Sequence, residues 1–133
     1  MLEELPFGNK TVSTILPGKA ILAALENGLS RIGTLSGRFP QVSGLAATLN
    51  PAAPEGSRVK SVAVNGEALD LSRNYRLATN DFLARGGDGY GMLSGISTVT
   101  KDSGTRLVAV DVISYVEALK RIDVNVEGRI VFQ

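Results

Sequence analysis

The chain has 133 residues, of which 44% are hydrophobic and 20% are charged, a balance typical of a globular domain rather than of a disordered segment. Lys and Arg number 14 against 13 Asp and Glu, and the resulting net charge of +1 gives no reason to expect nucleic acid or an anionic membrane as a partner. The absence of Cys excludes disulfides, and because His is also absent, a hydrolytic metal centre would have to use carboxylates alone.

The first third of the sequence predicts a strand followed by a helix. β-branched residues alternate over residues 11–16 and predict a partly buried strand, which Pro17-Gly18 ends. Apolar residues then recur at helical spacing and predict a helix over about residues 19–30. Its apolar face is expected to consist of Ile21, Leu22, Leu25 and Leu29.

The middle of the sequence predicts three strands separated by sharp turns. Two of them cover about residues 41–49 and 57–64, on either side of a loop rich in Pro and Gly. Asn65-Gly66 is the strongest hairpin signal in the chain, because both residue types accept the positive φ that a two-residue turn requires. Residues 75–79 are the third strand candidate.

A short helix and a glycine-rich segment come next. Asn80 or Asp81 is expected to cap a helix that continues through Arg85, and Gly86 is expected to end it in the left-handed conformation. Residues 86–91 are the densest glycine stretch in the chain. They resemble a dinucleotide-binding loop only superficially, since the strand, loop and helix context of that motif is missing.

The last third predicts an amphipathic helix over about residues 108–121, whose apolar face consists of Val112, Ile113, Val116 and Leu119. A closing strand is predicted over about residues 124–132, interrupted by Glu127-Gly128. Helices and strands are intermixed, and the hairpin makes part of the sheet antiparallel. The sequence therefore predicts an α+β fold, with a mixed, partly antiparallel sheet flanked by helices, in a single domain of residues 1–133.

Searches for catalytic motifs find nothing complete. Pro17-Gly18-Lys19 lacks the upstream glycine of a P-loop, and no Gly-x-Ser-x-Gly elbow occurs. Without His, no Ser/His/Asp triad can form. No apolar run reaches the roughly 20 residues of a membrane-spanning helix. The residues alone therefore indicate a globular domain of mixed α and β structure with two aromatic residues close to glycines.

Several segments, taken together, resemble the C-terminal domain of the 5'-nucleotidase family over nearly the whole chain. They stand in the order of that family and at plausible spacings, which makes them more specific together than any one of them is alone. The segments are Leu5-Pro6-Phe7-Gly8-Asn9, Gly18-Lys19, Gly37-Arg38-Phe39-Pro40-Gln41-Val42-Ser43-Gly44, Gly56-Ser57-Arg58-Val59, Tyr75-Arg76-Leu77-Ala78-Thr79-Asn80-Asp81-Phe82-Leu83, Gly86-Gly87-Asp88-Gly89-Tyr90 and the closing Val126-Glu127-Gly128-Arg129-Ile130.

The resemblance implies a division of labour between two domains of the same polypeptide. In this family an N-terminal metallophosphatase domain holds two divalent metal ions, and the C-terminal domain binds the nucleoside and delivers the phosphate to the metals by rotating. No cofactor is expected in the present chain, and the expected partners are a nucleotide or nucleoside (AMP-like) and the N-terminal domain. The family also implies a periplasmic, secreted or cell-surface location, although residues 1–4 have no feature of a signal peptide.

The resemblance also assigns roles to five residues. Phe7 and Phe82 match the two rings that sandwich the base, and Asn9 matches the residue that hydrogen-bonds it. Gly37 matches a backbone contact, and Asp88 matches the carboxylate that accepts from the ribose hydroxyls. These roles suit the chemistry: stacking a ring on a base contributes about 1 to 3 kcal/mol, and an ionised Asp can accept from both hydroxyls of a cis-diol.

Each of these residues also has an ordinary structural interpretation. The two rings would otherwise be core residues, Asn9 a turn residue and Asp88 a turn stabiliser. Phe39 and Tyr90 are expected to form wall or core rather than to stack on a base. Arg38 is most simply a surface charge, although its position next to the predicted glycine contact allows it to touch a ligand.

Part of the family pattern is missing from the sequence. The family domain normally begins further upstream, with arginines that contact the phosphate, one of them in an Asn-Gly-Gly-Gly-Ile-Arg-like stretch. We therefore expect the nucleoside half of the site without the phosphate half, and no hydrolysis by the chain alone. A missing strand would leave its neighbour with an exposed edge, a route to a homodimer.

Two alternatives remain open. The chain is also compatible with the substrate domain of a UDP-sugar hydrolase or of a cyclic-nucleotide phosphodiesterase, because these enzymes use the same base sandwich. It is equally compatible with a non-catalytic interaction module that has kept the fold and lost the ligand.

Overall fold

A computed structural model of the chain describes residues 5, 7–95 and 106–133. Two short 3₁₀ turns, Gly87–Gly89 and Gly91–Leu93, precede the last helix. Within the described residues, no helix has the length and hydrophobicity needed to cross a membrane. In chain order the helices and strands are β1 (Thr11–Pro17), α1 (Gly18–Leu29), β2 (Leu45–Leu49), β3 (Val59–Val64), β4 (Glu67–Ala68), β5 (Asn74–Asn80), α2 (Asp81–Ala84), α3 (Val108–Leu119) and β6 (Ile130–Phe132).

β1 and β5 form a two-stranded antiparallel sheet, here called the β1–β5 ribbon. Along β1 every second side chain is buried, namely Val12, Thr14 and Leu16, as expected for a strand with one face on the core. The register pairs Thr11 with Asn80 at one end of the ribbon. Since α2 follows β5 directly, the ribbon brings the residues just before β1 beside the residues of α2.

The other strands form a mixed sheet in the order β4-β3-β2-β6. β2 and β4 are antiparallel to β3, whereas β2 and β6 are parallel. The hairpin predicted between β3 and β4 is confirmed, because Asn65 has φ 51° and Gly66 has φ 84°, the left-handed pair of a tight hairpin turn. The predicted α+β class with a mixed, partly antiparallel sheet is also confirmed, with its strands divided between two sheets.

Two predicted strands are shorter in the structure than in the prediction. The strand expected over residues 41–49 begins at Leu45, directly after Gly44, whose φ is 75°. The strand expected over residues 124–132 is reduced to β6, the part that follows the predicted interruption at Glu127-Gly128, where Gly128 has φ 68°. A left-handed residue turns the chain out of the extended conformation. The apolar pattern therefore predicted the start of both strands too early in the sequence.

α1 supplies the centre of the core. Leu25 and Leu29 of this helix are 5% and 1% exposed, and they belong to one buried cluster with Leu16 and Leu49. Full burial of such a side chain contributes about 1.5 to 3 kcal/mol. The predicted apolar face is confirmed for Ile21, Leu25 and Leu29, whereas Leu22 is only half-buried and lies outside the core cluster.

A pair of charged residues joins the end of α1 to the start of β3. The Glu26 carboxylate accepts hydrogen bonds from the N–H groups of Arg58 (3.1 Å) and Val59 (2.8 Å). The Arg58 guanidinium in turn donates to the carbonyl oxygens of Leu29 and Ser30. These carbonyls lie at the C-terminal end of the helix, where no further turn of helix can satisfy them. The Glu26–Arg58 clamp therefore fixes the end of α1.

α3 is packed less completely than α1. Ala109 is its one buried residue within the described part of the chain, and Ile113 and Leu119 are 36% and 48% exposed. Val112 and Val116, on the same predicted apolar face, are half-buried. The helix predicted over residues 108–121 is thus present, but the described residues cover its apolar face only in part.

Candidate functional site

Asn9, just before β1, contacts the residue that precedes Phe82. Its Nδ2 atom donates a hydrogen bond to Oδ1 of Asp81 (3.2 Å), and the N–H of Lys10 donates to the same oxygen (2.9 Å). The N–H of Asp81 donates in return to the Lys10 carbonyl oxygen (2.9 Å). These contacts continue the register of the β1–β5 ribbon. The structure therefore brings Asn9 and Phe82 to the same end of that ribbon.

Asp81 is held in its charged form. The N–H of Lys10 is the largest cause that lowers the pKa of this carboxyl, partial burial opposes it, and Asn9 and Arg85 lower it further. Arg85 forms an ion pair with Oδ2 of Asp81 at 3.0 Å, one helical turn away. Because the carboxylate accepts from the Asn9 amide nitrogen, it orients that amide as well as anchoring the chain.

Phe82 lies in α2, which begins as predicted: Oδ1 of Asn80 accepts from the N–H of Leu83 (2.9 Å), an N-cap. The Phe82 ring rests against Gly87, where an added Cβ atom would meet three ring atoms at 2.5 to 2.6 Å. Phe82 is nevertheless 44% exposed. One side of the ring is thus supported by the chain while much of its surface faces outward.

Phe7, the other predicted stacking residue, is 77% exposed. It stands two residues before Asn9, on the same approach to β1. The interpretation of Phe7 as an ordinary core residue is therefore wrong. The Phe7 ring is thus accessible to a ligand.

Asp88 stands on a turn, residues 86–89, in which three of the four residues are left-handed. Gly86 has φ 92°, Asp88 has φ 52° and Gly89 has φ 80°. The left-handed glycine predicted after α2 is thereby confirmed at Gly86. Asp88 itself is exposed. Nδ2 of Asn27, in the last turn of α1, donates to the Asp88 carbonyl oxygen (3.2 Å) and ties the turn to the helix.

Gly37 is exposed and is connected to this turn through its neighbour Arg38. The Tyr90 hydroxyl donates to the Arg38 carbonyl oxygen (2.7 Å). An added Cβ atom at Gly89 would lie 3.4 Å from the Arg38 guanidinium. Burial raises the pKa of Tyr90 above its ordinary value and the nearby Asp88 charge adds to this, so the phenol stays a hydrogen-bond donor.

An apolar cavity of about 250 Å³ lies beside the Gly37 segment. Phe39 and Tyr90 line it, and Tyr90 is 5% exposed, so both residues form wall or core as predicted. Of the five predicted site residues only Gly37 borders the cavity. Its apolar lining offers little to a ribose or a phosphate, and the exposed surface around Phe82 and Asp88 is the better candidate for a polar ligand.

Contacts thus connect four of the five predicted residues. Asn9 reaches the neighbour of Phe82, the Phe82 ring rests on the neighbour of Asp88, and Gly37 is linked to the same turn through Arg38. Phe7 is related to these four by its place in the sequence, on the approach to β1.

Sequence reasoning did not connect two residues, Asn27 and Asp81, with this site. Asn27 did carry a signal, because Asn is unfavourable inside a helix unless its side chain has a partner. Asp81 was interpreted only as a possible helix cap, a role that Asn80 fills.

The described residues, 5, 7–95 and 106–133, contain no group of three or more His, Cys, Asp or Glu side chains that could hold a metal ion.

Comparisons with known proteins agree on one family. The family model described as 5'-nucleotidase, C-terminal domain, matches residues 1–95. The trifunctional nucleotide phosphoesterase protein YfkN of Bacillus subtilis is 38% identical to the chain, over 98% of the chain and 9% of that protein. The 5'-nucleotidase of Diplobatis ommata is 34% identical, over 99% of the chain and 24% of that protein.

A solved structure gives the same result. The crystal structure of a 5'-nucleotidase precursor from Thermus thermophilus is similar to the chain with a TM-score of 0.90 and 41% identity, over 98% of the chain and 26% of that protein. The chain thus spans about a quarter or less of the length of these relatives.

Proposed function

Because the chain belongs to the 5'-nucleotidase C-terminal domain family, we propose that it recognises the nucleoside part of a nucleotide whose phosphate is hydrolysed elsewhere in the same polypeptide. The observation that carries this proposal is the exposed Phe82 ring, which rests on Gly87, the neighbour of Asp88, while Asn9 is hydrogen-bonded to the preceding residue Asp81. A planar base, a hydrogen-bonding edge and a diol would each meet a matching group there.

Each residue has a role in the proposal that follows from its chemistry. Phe82 and Phe7 stack on the base, since exposed rings gain apolar contact when a base covers them. The Asp88 carboxylate accepts from the two ribose hydroxyls, and an exposed carboxylate on a glycine turn is accessible to both. The backbone of Gly37 approaches the ligand closely, because no side chain intervenes.

The orientation of the Asn9 side chain favours some bases over others. Its amide nitrogen donates to the charged Asp81, so its carbonyl oxygen is the group directed toward a ligand. A carbonyl oxygen accepts from an exocyclic amino group, which adenine, guanine and cytosine have and hypoxanthine and uracil lack. A nucleotide with an amino-bearing base, such as AMP, is therefore favoured over IMP or UMP.

We propose that the hydrolysis takes place in another domain of a longer protein that contains this chain. An N-terminal metallophosphatase domain with two divalent metal ions would supply the activated water that attacks the phosphorus. The residues described here would position the nucleotide, which is their contribution to the rate. As in the snake venom 5'-nucleotidases among the relatives, the protein would act outside the cytoplasm.

The test is a titration of the 133-residue chain with adenosine, followed by NMR. We expect saturable shifts of the Phe7 and Phe82 ring signals and of the Asn9 and Asp88 amides. Replacement of Phe82 by Ala should weaken binding by about 1 to 3 kcal/mol, the contribution of one stacked ring.

Tyr115→Ala is the matched control, because Tyr115 is an aromatic residue of α3 that is 67% exposed and has no part in the proposed site. Equal effects of the two substitutions would exclude Phe82 as a stacking residue. Failure of adenosine to bind the unaltered chain would favour the interaction-module alternative.

The second candidate is a nucleotide phosphoester other than a 5'-monophosphate, such as a nucleotide sugar or a cyclic nucleotide. The relative from Bacillus subtilis is named a trifunctional nucleotide phosphoesterase, and this name supports the second candidate. Because the proposed contacts involve only the base and the ribose hydroxyls, UDP-glucose should be compared with AMP in the same titration. 2',3'-cyclic AMP, whose phosphate occupies both hydroxyls, should keep the base contacts, lose those to Asp88 and bind more weakly.

A further inference from the structure

The backbone conformation of the turn that carries Asp88 is expected to depend on contacts with residues outside the turn. Asp88 is one of three described non-glycine residues with positive φ, and it stands between the left-handed glycines Gly86 and Gly89. A non-glycine residue in this region is less favourable than glycine, and contacts with the surrounding structure help to hold it there. The question is therefore which group fixes the turn.

Asn27 is that group. Its Nδ2 atom donates to the carbonyl oxygen of Asp88 at 3.2 Å, across 61 residues of sequence. Its Oδ1 atom lies so close to Gly89 that an added Cβ atom there would come within 2.7 Å of it. The two ends of one amide thus contact two successive residues of the turn, which restricts both the position and the rotation of the Asp88 backbone.

Asn27 is itself held rigidly. It lies in the last turn of α1 between Leu25 and Leu29, both of them buried in the core. The Glu26–Arg58 clamp fixes the same turn of the helix against β3. A side chain mounted on such an element can define the position of a loop to a fraction of an ångström, whereas the loop alone cannot.

We propose that Asn27 is a positioning residue for ribose recognition, which aims the Asp88 carboxylate at the two hydroxyls by holding the Asp88 carbonyl oxygen. This inference rests on the proposed function, because it takes Asp88 as the ribose-binding group. Asn27 does not touch the ligand in this proposal, and its effect passes entirely through the turn.

The test compares adenosine with 2',3'-dideoxyadenosine, which lacks both hydroxyls, on the 133-residue chain and its variants. Asn27→Asp keeps the shape of the side chain, removes the N–H donor to Asp88 and adds a negative charge; Asn27→Leu removes the donor without adding a charge, and the two variants should have the same effect. We expect each of them to weaken adenosine binding about tenfold, on the order of the loss of one hydrogen bond to a charged group. Binding of the dideoxy compound should change by less than a factor of about two, since that ligand makes no hydrogen bond to the carboxylate.

Two controls separate positioning from a general effect on folding. Asn50→Ala removes an Asn whose side chain accepts from the N–H of Ala52 in a different loop, and it should leave both affinities unchanged. In an Asp88→Ala background, Asn27→Asp should have no additional effect on adenosine, because the group it positions is gone.

The outcomes of this test distinguish the positioning role of Asn27 from the proposed recognition of a nucleoside, on which that role rests. If Asn27→Asp weakens both ligands equally, or weakens neither, the inference is wrong while the proposed function stands. If the unaltered chain binds adenosine and the dideoxy compound equally well, Asp88 does not recognise the ribose and the inference is overturned. If the unaltered chain binds neither, the proposed function fails and the inference fails with it.

Discussion

The ring of Phe82 rests directly on the backbone of Gly87, so that a Cβ atom at residue 87 would approach the ring atoms Cε1 and Cζ to 2.5 Å. The φ of Gly87 is not positive, unlike those of Gly86 and Gly89, so the backbone itself would accept a side chain. Glycine is required at this position by the ring above it and not by the conformation of the turn.

Gly87→Ala should therefore displace the Phe82 ring with little loss of stability, because an exposed ring can swing away from the new methyl group. We expect adenosine affinity to fall by about 1 to 3 kcal/mol, the contribution of a stacked ring, and the melting temperature to change little. Gly91→Ala is the matched control, since nothing lies within 4 Å of an added Cβ atom there. A large fall in melting temperature with unchanged affinity would contradict the prediction.

Phe7→Ala should separate binding from stability even more clearly. Because Phe7 is 77% exposed, its removal should change the free energy of unfolding by no more than about 0.5 kcal/mol, as for an ordinary surface substitution. Adenosine affinity should fall by about 1 to 3 kcal/mol if the ring stacks on the base. Urea unfolding and the NMR titration measure the two quantities, and an unchanged affinity would remove Phe7 from the site.

Asp81 should make stability depend on pH in the acid range. Its pKa is lowered in the folded protein, chiefly by the N–H of Lys10, so its contribution is present above the unfolded pKa of about 3.9. That contribution is lost as the pH falls through the lower pKa of the folded state. Urea unfolding at about pH 6 should show Asp81→Asn to be less stable than the unaltered chain.

The difference between the two proteins should shrink steadily below about pH 3.9. Asp123→Asn serves as the control, because Asp123 is exposed and its ion pair with Arg121 is long, at 3.8 Å. A stability difference for Asp81→Asn that is the same at about pH 6 and about pH 3 would show that the carboxylate charge has no part in it.

Glu26→Ala should destabilise the chain more than the loss of an exposed ion pair would. It leaves the N–H groups of Arg58 and Val59 without their carboxylate acceptor, for an expected cost of about 1 to 3 kcal/mol. Glu67→Ala breaks an exposed ion pair with Arg73 and should cost no more than about 1 kcal/mol. Urea unfolding at neutral pH measures both, and equal losses would mean that the clamp contributes no more than a surface pair.

The sequence was most informative where the chemistry of a turn or cap is local. Asn65-Gly66 and Asn80 were interpreted correctly because a left-handed turn and an N-cap depend on a few adjacent residues. The strands ending at Leu49 and Phe132 were predicted too long, because a single left-handed glycine outweighed the apolar pattern around it.

Contacts between residues far apart in the chain could not be predicted from the sequence alone. The parallel pairing of β2 with β6 and the contact of Asn27 with Asp88 join segments far apart in the chain, and no local pattern encodes such a partner. The resemblance to the family named the five candidate residues, but their roles stay predictions until a ligand is tested. The homodimer through a strand edge also stays a prediction.

The β1–β5 ribbon also has a consequence for how the chain folds. The hydrogen bond between Asn9 and Asp81 spans 72 residues, so the two sides of the candidate site meet only after a long loop has closed. Contacts of such high sequence separation slow folding, because the entropy of loop closure is lost before they can compensate for it. We therefore expect α1 and the β3–β4 hairpin to form early, and the ability to bind a nucleoside to be among the last properties that a refolding chain recovers.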